Sequence, residues 1–122
     1  MKHIESAIQR ELVKWLANDY PDIEVIFRKN EGKKSKQSAI LDKLMGLKAG
    51  VPDLQLIVDI TALSYFLELE LKTLKGRLND NQKEWHANFK PTRNRQSAVA
   101  YGLLQAQDIV RNWLKTIGYE NK

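Results

Sequence analysis

Residues 65–72 read Tyr-Phe-Leu-Glu-Leu-Glu-Leu-Lys, so leucines alternate with charged side chains. A period of two is typical of a β-strand, because successive side chains point to opposite faces of a sheet. The segment therefore predicts a strand with one apolar face for the core. Its other face carries Glu68, Glu70 and Lys72, and we expect this face to meet a cleft or water.

A second strand is predicted at Leu54–Val58, directly after a turn-like segment that ends at Asp53. If the two strands form a hairpin centred between Thr61 and Ala62, Asp53 falls opposite Glu70. Directly opposed side chains in such a hairpin approach within ~5 Å. Two carboxylates are then expected to meet on the charged face, beside the lysine that follows Glu70 on the same side.

The rest of the chain predicts helices and strands in mixed order. Apolar residues recur at helical spacing near both ends of the chain. The order implies an α/β domain with a mixed central sheet flanked by helices. The predicted elements are a helix over Ile4–Leu16, a strand over Ile23–Arg28, a polar loop, a short helix from Ser38 to about Met45, the two hairpin strands, a helix capped by Asn79 or Asp80, a strand over Ser97–Leu104, and a last helix that ends before Gly118.

Length and charge limit the class of protein. A chain of 122 residues is long enough for one ordinary core, so residues 1–122 are expected to form a single domain. Twenty Lys and Arg residues against 15 Asp and Glu residues give a formal charge of +5, which favours an acidic polymer as partner. The N-terminus has no apolar signal region, and no stretch approaches the roughly 20 apolar residues of a membrane-spanning helix. We therefore expect a cytoplasmic protein.

The residues also restrict the metal that such a site can hold. The chain has no cysteine and only two histidines, His3 and His86, so thiolate-bound zinc is excluded and any metal must be held mainly by oxygen. Carboxylates such as Asp53 and Glu70 suit Mg²⁺ or Mn²⁺, which also bind substrate phosphate oxygens. Lys72 can orient the attacking water or stabilise charge that develops at phosphorus. This combination is what the hydrolysis of a phosphodiester bond requires.

The pair Pro52-Asp53 followed by Glu70-Leu71-Lys72 resembles the signature of the PD-(D/E)xK nuclease superfamily. The surrounding sequence is similar to the VRR-Nuc family of virus-type replication and repair nucleases, and this resemblance covers nearly the whole chain. It is carried by Gly46 to Asp53, Glu70 to Thr73, Gly76-Arg77-Leu78, Gln82 to Trp85, the N-terminal helix with Glu5 and Gln9, and Asn30-Glu31-Gly32.

The resemblance implies a restriction-endonuclease-like core, in the order helix, three strands, helix, strand, with the catalytic acids on the hairpin. It makes Asp53 and Glu70 metal ligands, Lys72 the catalytic lysine, Gln82 an accessory active-site group, and Glu5 a helix-borne acid near the metal. Stand-alone, phage-like members of the family resemble Holliday-junction resolvases and are expected to act as homodimers. We therefore expect a Mg²⁺ or Mn²⁺ dependent DNA endonuclease that acts on branched DNA in phage or prophage recombination or repair.

Basic residues are concentrated in loops on both sides of the expected site. Such residues make phosphate contacts that position DNA without reading its sequence, although they can also be ordinary solubilising charge. We expect DNA contacts from Lys33, Lys34, Lys36, Lys75 and Arg77, and the wider basic set adds Arg28, Lys29, Arg93 and Arg95.

Simpler interpretations stay open at several positions. Glu70 and Lys72 can be the solvated face of an edge strand, and Glu68 shares their face and competes with Glu70 as a metal ligand. Gln82 can close a capping box with Asn79 instead of entering the active site. For the whole protein, the alternatives are a non-catalytic DNA-binding module, or a flap or nicking nuclease that uses the same site.

Overall fold

A computed structural model describes residues 2–28 and 50–120 of the chain, and the side chains from Glu5 onward. These residues form a mixed α/β fold, as predicted. In chain order the elements are α1 (Lys2–Asp19), β1 (Glu24–Phe27), β2 (Leu54–Ile60), β3 (Leu63–Lys72), α2 (Asp80–Asn88), β4 (Arg95–Tyr101) and α3 (Leu103–Ile117). The predicted short helix from Ser38 to Met45 and the segment Asn30-Glu31-Gly32 lie outside the described residues.

The four strands make one mixed sheet in the order β1-β2-β3-β4. β2 runs antiparallel to both β1 and β3, and β4 runs parallel to β3. The β2–β3 hairpin turns through Thr61 and Ala62, and Ile60 pairs with Leu63. The hairpin centre predicted from the alternating pattern is therefore confirmed.

The leucines of the hairpin build the core on one face of the sheet. Leu67, Leu69 and Leu71 of β3 are at most 2% exposed, and they continue an apolar layer that begins on β2. α1 and α3 both contact β3 and also contact each other. The other buried residues of the core are Leu12 and Leu16 on α1, Ile23 before β1, Leu54, Leu56 and Val58 on β2, Ala100 on β4, and Ala106, Val110, Trp113 and Leu114 on α3.

The last strand is shorter than the sequence predicts. We expected it over Ser97–Leu104, but β4 ends at Tyr101 and α3 already begins at Leu103. Gly102 between them has a φ of +91°, a conformation that breaks strand geometry and that side-chain-bearing residues rarely adopt. The apolar pair that follows Gly102 thus starts the helix and does not extend the strand.

Among the described helices, none is both long enough and apolar enough to cross a membrane.

Gly50 brings the start of α2 against the turn that leads into β2. Its φ is +85°, and a Cβ atom placed there would lie 2.2 Å from the Asn81 carbonyl oxygen and 2.7 Å from the Gln82 backbone nitrogen. Both contacts are with backbone, which cannot rotate away as a flexible side chain can. The close approach therefore requires glycine, and it holds the N-terminal turn of α2 three residues from Asp53.

Replacing Gly50 by alanine is expected to be far more destabilising than the same change at Gly118. Gly118 also has a positive φ, +81°, but nothing lies within 4 Å of its added Cβ atom. Gly118→Ala should therefore lower the free energy of unfolding by about 1–2 kcal/mol, which is the cost of placing a residue with a Cβ atom in the left-handed backbone conformation. Gly50→Ala adds a backbone collision and should lower it by about 3 kcal/mol or more.

Urea unfolding of the two variants and the wild type measures this difference. Equal losses at the two glycines would show that α2 does not pack against the Gly50 turn in solution.

Candidate active site

Asp53 and Glu70 lie beside each other across the β2–β3 hairpin. The register pairs Leu54 with Leu69, so one further step places Asp53 opposite Glu70. Both side chains point away from the leucine core, because they alternate with Leu54 and Leu69 along their strands. The two carboxyl groups interact electrostatically, and the negative charge of Asp53 raises the pKa of Glu70. The predicted meeting of two carboxylates is therefore present in the fold.

Glu70 is a buried carboxyl group in an unfavourable place for a negative charge. Its side chain is only 1% exposed, and its Oε1 atom has no hydrogen-bond partner among the described residues. The pKa of Glu70 is raised to about 9, first by burial, and then by the charge of Asp53 and a hydrogen bond shared with the Asp53 carboxyl group. Without a cation, Glu70 is therefore protonated at neutral pH.

Lys72 and Glu5 both lie within electrostatic range of Glu70. The positive charge of Lys72 lowers the pKa of Glu70, whereas the negative charge of Glu5, on α1, raises it. Lys72 is the last residue of β3, and its carbonyl accepts a hydrogen bond of 2.9 Å from the Gly102 backbone N–H. Lys72 and Glu5 thus lie near Glu70, while their roles stay predictions.

Glu68 is held by positively charged and amide partners and differs sharply from Glu70. Its Oε1 accepts a bond of 2.6 Å from Arg28 Nη1, and its Oε2 accepts one of 2.7 Å from Gln55 Nε2. Arg95 Nη2 lies 3.4 Å from Oε2. Because its oxygens are already engaged by these donors, Glu68 is a poor candidate for a metal ligand.

The expectation that the charged face of β3 meets a cleft or water is wrong for two of its residues. Glu68 is 0% exposed and Glu70 is 1% exposed. A buried carboxylate is tolerated when it is paired or protonated. Glu68 is paired with two arginines, and Glu70 is favoured in its protonated form. Lys72 remains partly exposed at the end of the strand.

Gln82 closes the capping box that the sequence allowed. Its Oε1 accepts a bond of 2.9 Å from the Asn79 backbone N–H, and Asn79 Oδ1 accepts one of 2.8 Å from the Gln82 N–H. The side chain is buried, beside the Gly50 turn. The structural interpretation of Gln82 is therefore confirmed, and an active-site role through its amide nitrogen stays a prediction.

The expected DNA contacts are described only in part. Lys75 and Arg77 are exposed in the loop between β3 and α2, directly after the strand that carries Glu70 and Lys72. Lys33, Lys34 and Lys36 lie outside the described residues. Arg28 and Arg95, which the sequence placed in the same basic set, contact Glu68 instead.

Sequence reasoning missed the residue that holds the backbone around Asp53. Arg28 N–H donates a 2.8 Å bond to the Asp53 carbonyl, and Arg28 Nη1 donates a 3.2 Å bond to the Pro52 carbonyl. The signal available in the sequence was the position of this arginine, at the end of the predicted first strand. An acidic partner on another strand cannot be identified from that position alone.

The donor set fits a hard divalent cation. Asp53 and Glu70 offer carboxylate oxygens, and Glu70 Oε1 is buried without a hydrogen-bond partner among the described residues. Across residues 2–28 and 50–120, no group of three or more His, Cys, Asp or Glu side chains could hold a metal ion together. Mg²⁺ needs only one or two protein carboxylates, because water and substrate phosphate supply its other ligands. The pair therefore suits Mg²⁺ or Mn²⁺ better than a fully protein-coordinated metal.

The stability of the metal-free protein is expected to fall as the pH rises, because of Glu70. Its folded-state pKa of about 9 exceeds the ordinary value of 4.5, so the fold retains a proton that the unfolded chain releases. This stabilisation is complete below pH 4.5 and is lost as the pH rises towards 9, by at most about 1.4 kcal/mol per pH unit. Glu70→Gln removes the titrating group and should flatten this dependence.

Urea unfolding in EDTA, between about pH 5 and about pH 8, measures the effect. Glu84→Gln, which removes an exposed carboxyl group on α2, is the matched control. An equal fall in stability for wild type and Glu70→Gln would contradict the assignment.

Comparison with known proteins supports the resemblance seen in the sequence. The sequence profile of the VRR-NUC domain matches residues 3–103. A solved structure described as a VRR_NUC domain protein has the same fold, with a TM-score of 0.65 and 23% identity over 96% of this chain and 93% of that chain. A search of curated proteins found no match. The profile match implies a nuclease-type function with DNA as a partner, and because it spans most of the chain, the protein belongs to the VRR-NUC domain family.

Proposed function

We propose that the protein is a Mg²⁺ or Mn²⁺ dependent endonuclease that hydrolyses phosphodiester bonds in DNA at the Asp53–Glu70 pair. The observation that carries the proposal is the burial of Glu70 beside Asp53, with its Oε1 lacking a hydrogen-bond partner within the described part of the chain. Two adjacent carboxyl groups destabilise each other unless a proton or a cation lies between them. A bound cation offsets the repulsion between the two carboxylates, so cation binding explains why they are placed together.

Each residue of the proposed site has a separate role in the reaction. Asp53 and Glu70 would hold the cation, and the Glu70 carboxyl group would lose its proton to solvent on binding it. When bound there, a divalent cation would supply positive charge against the scissile phosphate and would lower the pKa of the attacking water. Lys72, on the same face of β3 as Glu70, donates hydrogen bonds that orient this water or stabilise the charge developing on the phosphate. Gln82 and Glu5 are proposed as accessory groups of the same site.

The substrate we propose is branched DNA, with the four-way junction of phage or prophage recombination as the first candidate. Resolution of a symmetric junction requires two incisions, and the described residues contain one candidate site, so we propose a homodimer. Lys75 and Arg77, exposed next to the site, are proposed to contact backbone phosphates, together with Lys33, Lys34 and Lys36.

Lys72→Ala is expected to abolish metal-dependent cleavage while leaving DNA affinity within about twofold, because one phosphate-directed charge contributes little to total binding. The rate should fall at least about 10²-fold. Labelled linear duplex, single strand, flap, splayed arm and four-way junction are incubated with Mg²⁺, Mn²⁺ or EDTA. Lys115→Ala, which removes an exposed lysine from the last turn of α3, is the matched control and should cleave normally.

Cleavage of these five DNA substrates distinguishes the candidate functions. Paired symmetric incisions of the junction, lost in EDTA and in Lys72→Ala, are the expected result. Cleavage of flaps or linear duplex alone would contradict the junction assignment and favour a flap or nicking nuclease. Retained DNA binding without metal-dependent cleavage of any substrate would favour a non-catalytic DNA-binding module.

Binding of Mn²⁺ is expected to release about one proton per ion near neutral pH, because Glu70, with a pKa of about 9, is protonated until the metal binds. Calorimetric titrations in two buffers with different ionisation enthalpies measure this release. The affinity should also rise with pH up to about 9. Asp53→Asn should weaken binding at least about tenfold. Proton-independent binding would show that Glu70 is not the ligand.

A further inference from the structure

Arg28 holds the backbone on both sides of the Asp53 side chain. Its N–H donates to the Asp53 carbonyl at 2.8 Å, which continues the pairing of β1 with β2 by one residue. Its guanidinium Nη1 donates to the preceding carbonyl, that of Pro52, at 3.2 Å. One residue thus binds both peptide carbonyls that flank the Asp53 Cα atom.

The same guanidinium is anchored to the strand that carries Glu70. Arg28 Nη1 donates to Glu68 Oε1 at 2.6 Å, and Glu68 is 0% exposed. Glu68 precedes Glu70 by two residues, so both side chains project from the same face of β3. Gln55 Nε2 holds the second oxygen of Glu68 at 2.7 Å and fixes the orientation of its carboxylate. Arg28 therefore links the Asp53 backbone to β3 at a point two residues from Glu70.

We propose that Arg28 is a positioning residue that sets the separation of the Asp53 and Glu70 carboxyl groups and so determines the affinity of the site for a divalent cation. This inference rests on the proposed function of the Asp53–Glu70 pair. Metal affinity is sensitive to the groups that orient the ligands, and their loss typically weakens it 10–100-fold. Arg28 acts through Asp53 and is not itself a catalytic residue.

The contacts of Arg28 distinguish this role from a role in holding DNA. Its guanidinium is engaged by a buried carboxylate and a backbone carbonyl, and only 27% of its side chain is exposed. Arg95 also contacts Glu68, but at 3.4 Å, with 46% of its side chain exposed and with its guanidinium over the Phe89 ring. The side chain of Arg95 thus contacts Glu68 and Phe89, and Arg95 is the matched control for Arg28.

The experiment compares Arg28→Lys with Arg95→Lys. Both variants keep the positive charge. The ammonium of lysine, however, lies one bond short of the position of Nη1, the single nitrogen through which Arg28 donates to both the Pro52 carbonyl and Glu68. Mn²⁺ affinity is measured by calorimetry without DNA, and kcat and KM for the cleaved DNA are measured at saturating Mn²⁺. Arg28→Lys is expected to weaken Mn²⁺ binding about 10–100-fold and to leave KM for DNA within about twofold. Arg95→Lys should change Mn²⁺ affinity by less than about twofold.

Glu68→Gln provides a second variant, because glutamine keeps the size of the side chain and one oxygen acceptor but loses the charge that anchors Arg28. Glu68→Gln should also weaken Mn²⁺ binding. The double variant with Arg28→Lys should lose less Mn²⁺-binding free energy than the sum of the losses in the two single variants. Thermal unfolding in EDTA identifies the temperatures at which every variant is folded.

Three results would overturn the inference while leaving the proposed function in place: unchanged Mn²⁺ affinity in Arg28→Lys, equal losses in Arg28→Lys and Arg95→Lys, or a rise in KM for DNA alone. A wild-type protein that neither binds Mn²⁺ nor cleaves DNA would overturn both.

Discussion

The register of the β2–β3 hairpin is the constraint on which the candidate site depends. Leu67, Leu69 and Leu71 must face the helices, and a slip of one residue would exchange them for Glu68, Glu70 and Lys72. Burial of each leucine contributes about 1.5–3 kcal/mol, so the correct register is strongly favoured. The same apolar packing that stabilises the core therefore places Asp53 opposite Glu70, on the face that the helices α1 and α3 do not cover.

Two neighbouring glutamates on that face have opposite electrostatic environments. Glu68 is bound by Arg28 and Gln55 and lies near Arg95, so residues from β2, β3 and β4 and the residue after β1 form one polar network around a buried carboxylate. Glu70 faces another carboxyl group instead, and burial raises its pKa to about 9. The contacts of Glu68 join strands of the sheet. Glu70, in contrast, needs a proton or a cation to offset the repulsion from the neighbouring carboxyl group. This contrast is the physical reason to propose a structural role for Glu68 and a cation-binding role for Glu70.

The sequence predicted what depends on local periodicity and missed what depends on distant contacts. The alternation along β3 was enough to derive the Asp53–Glu70 pairing, although Thr61-Ala62 is a weak turn signal and Thr61 has an unfavourable φ of +59°. The end of β4 was misplaced, because apolar residues beyond Gly102 suit a strand or a helix equally. The burial of Glu68 was missed, because its partner Arg28 lies 40 residues away in sequence.

Asp53 and Glu70 together are proposed to hold the divalent cation used for cleavage. The most direct measurement is an anomalous-scattering experiment on crystals of the protein grown with Mn²⁺, compared with crystals of Asp53→Asn grown in the same way. We expect one strong manganese peak in coordination contact with both carboxylates in the wild type, and the loss of this peak in the variant. A peak elsewhere in the protein, or none in crystals of a protein that cleaves DNA with Mn²⁺, would show that this pair of carboxylates does not hold the cation.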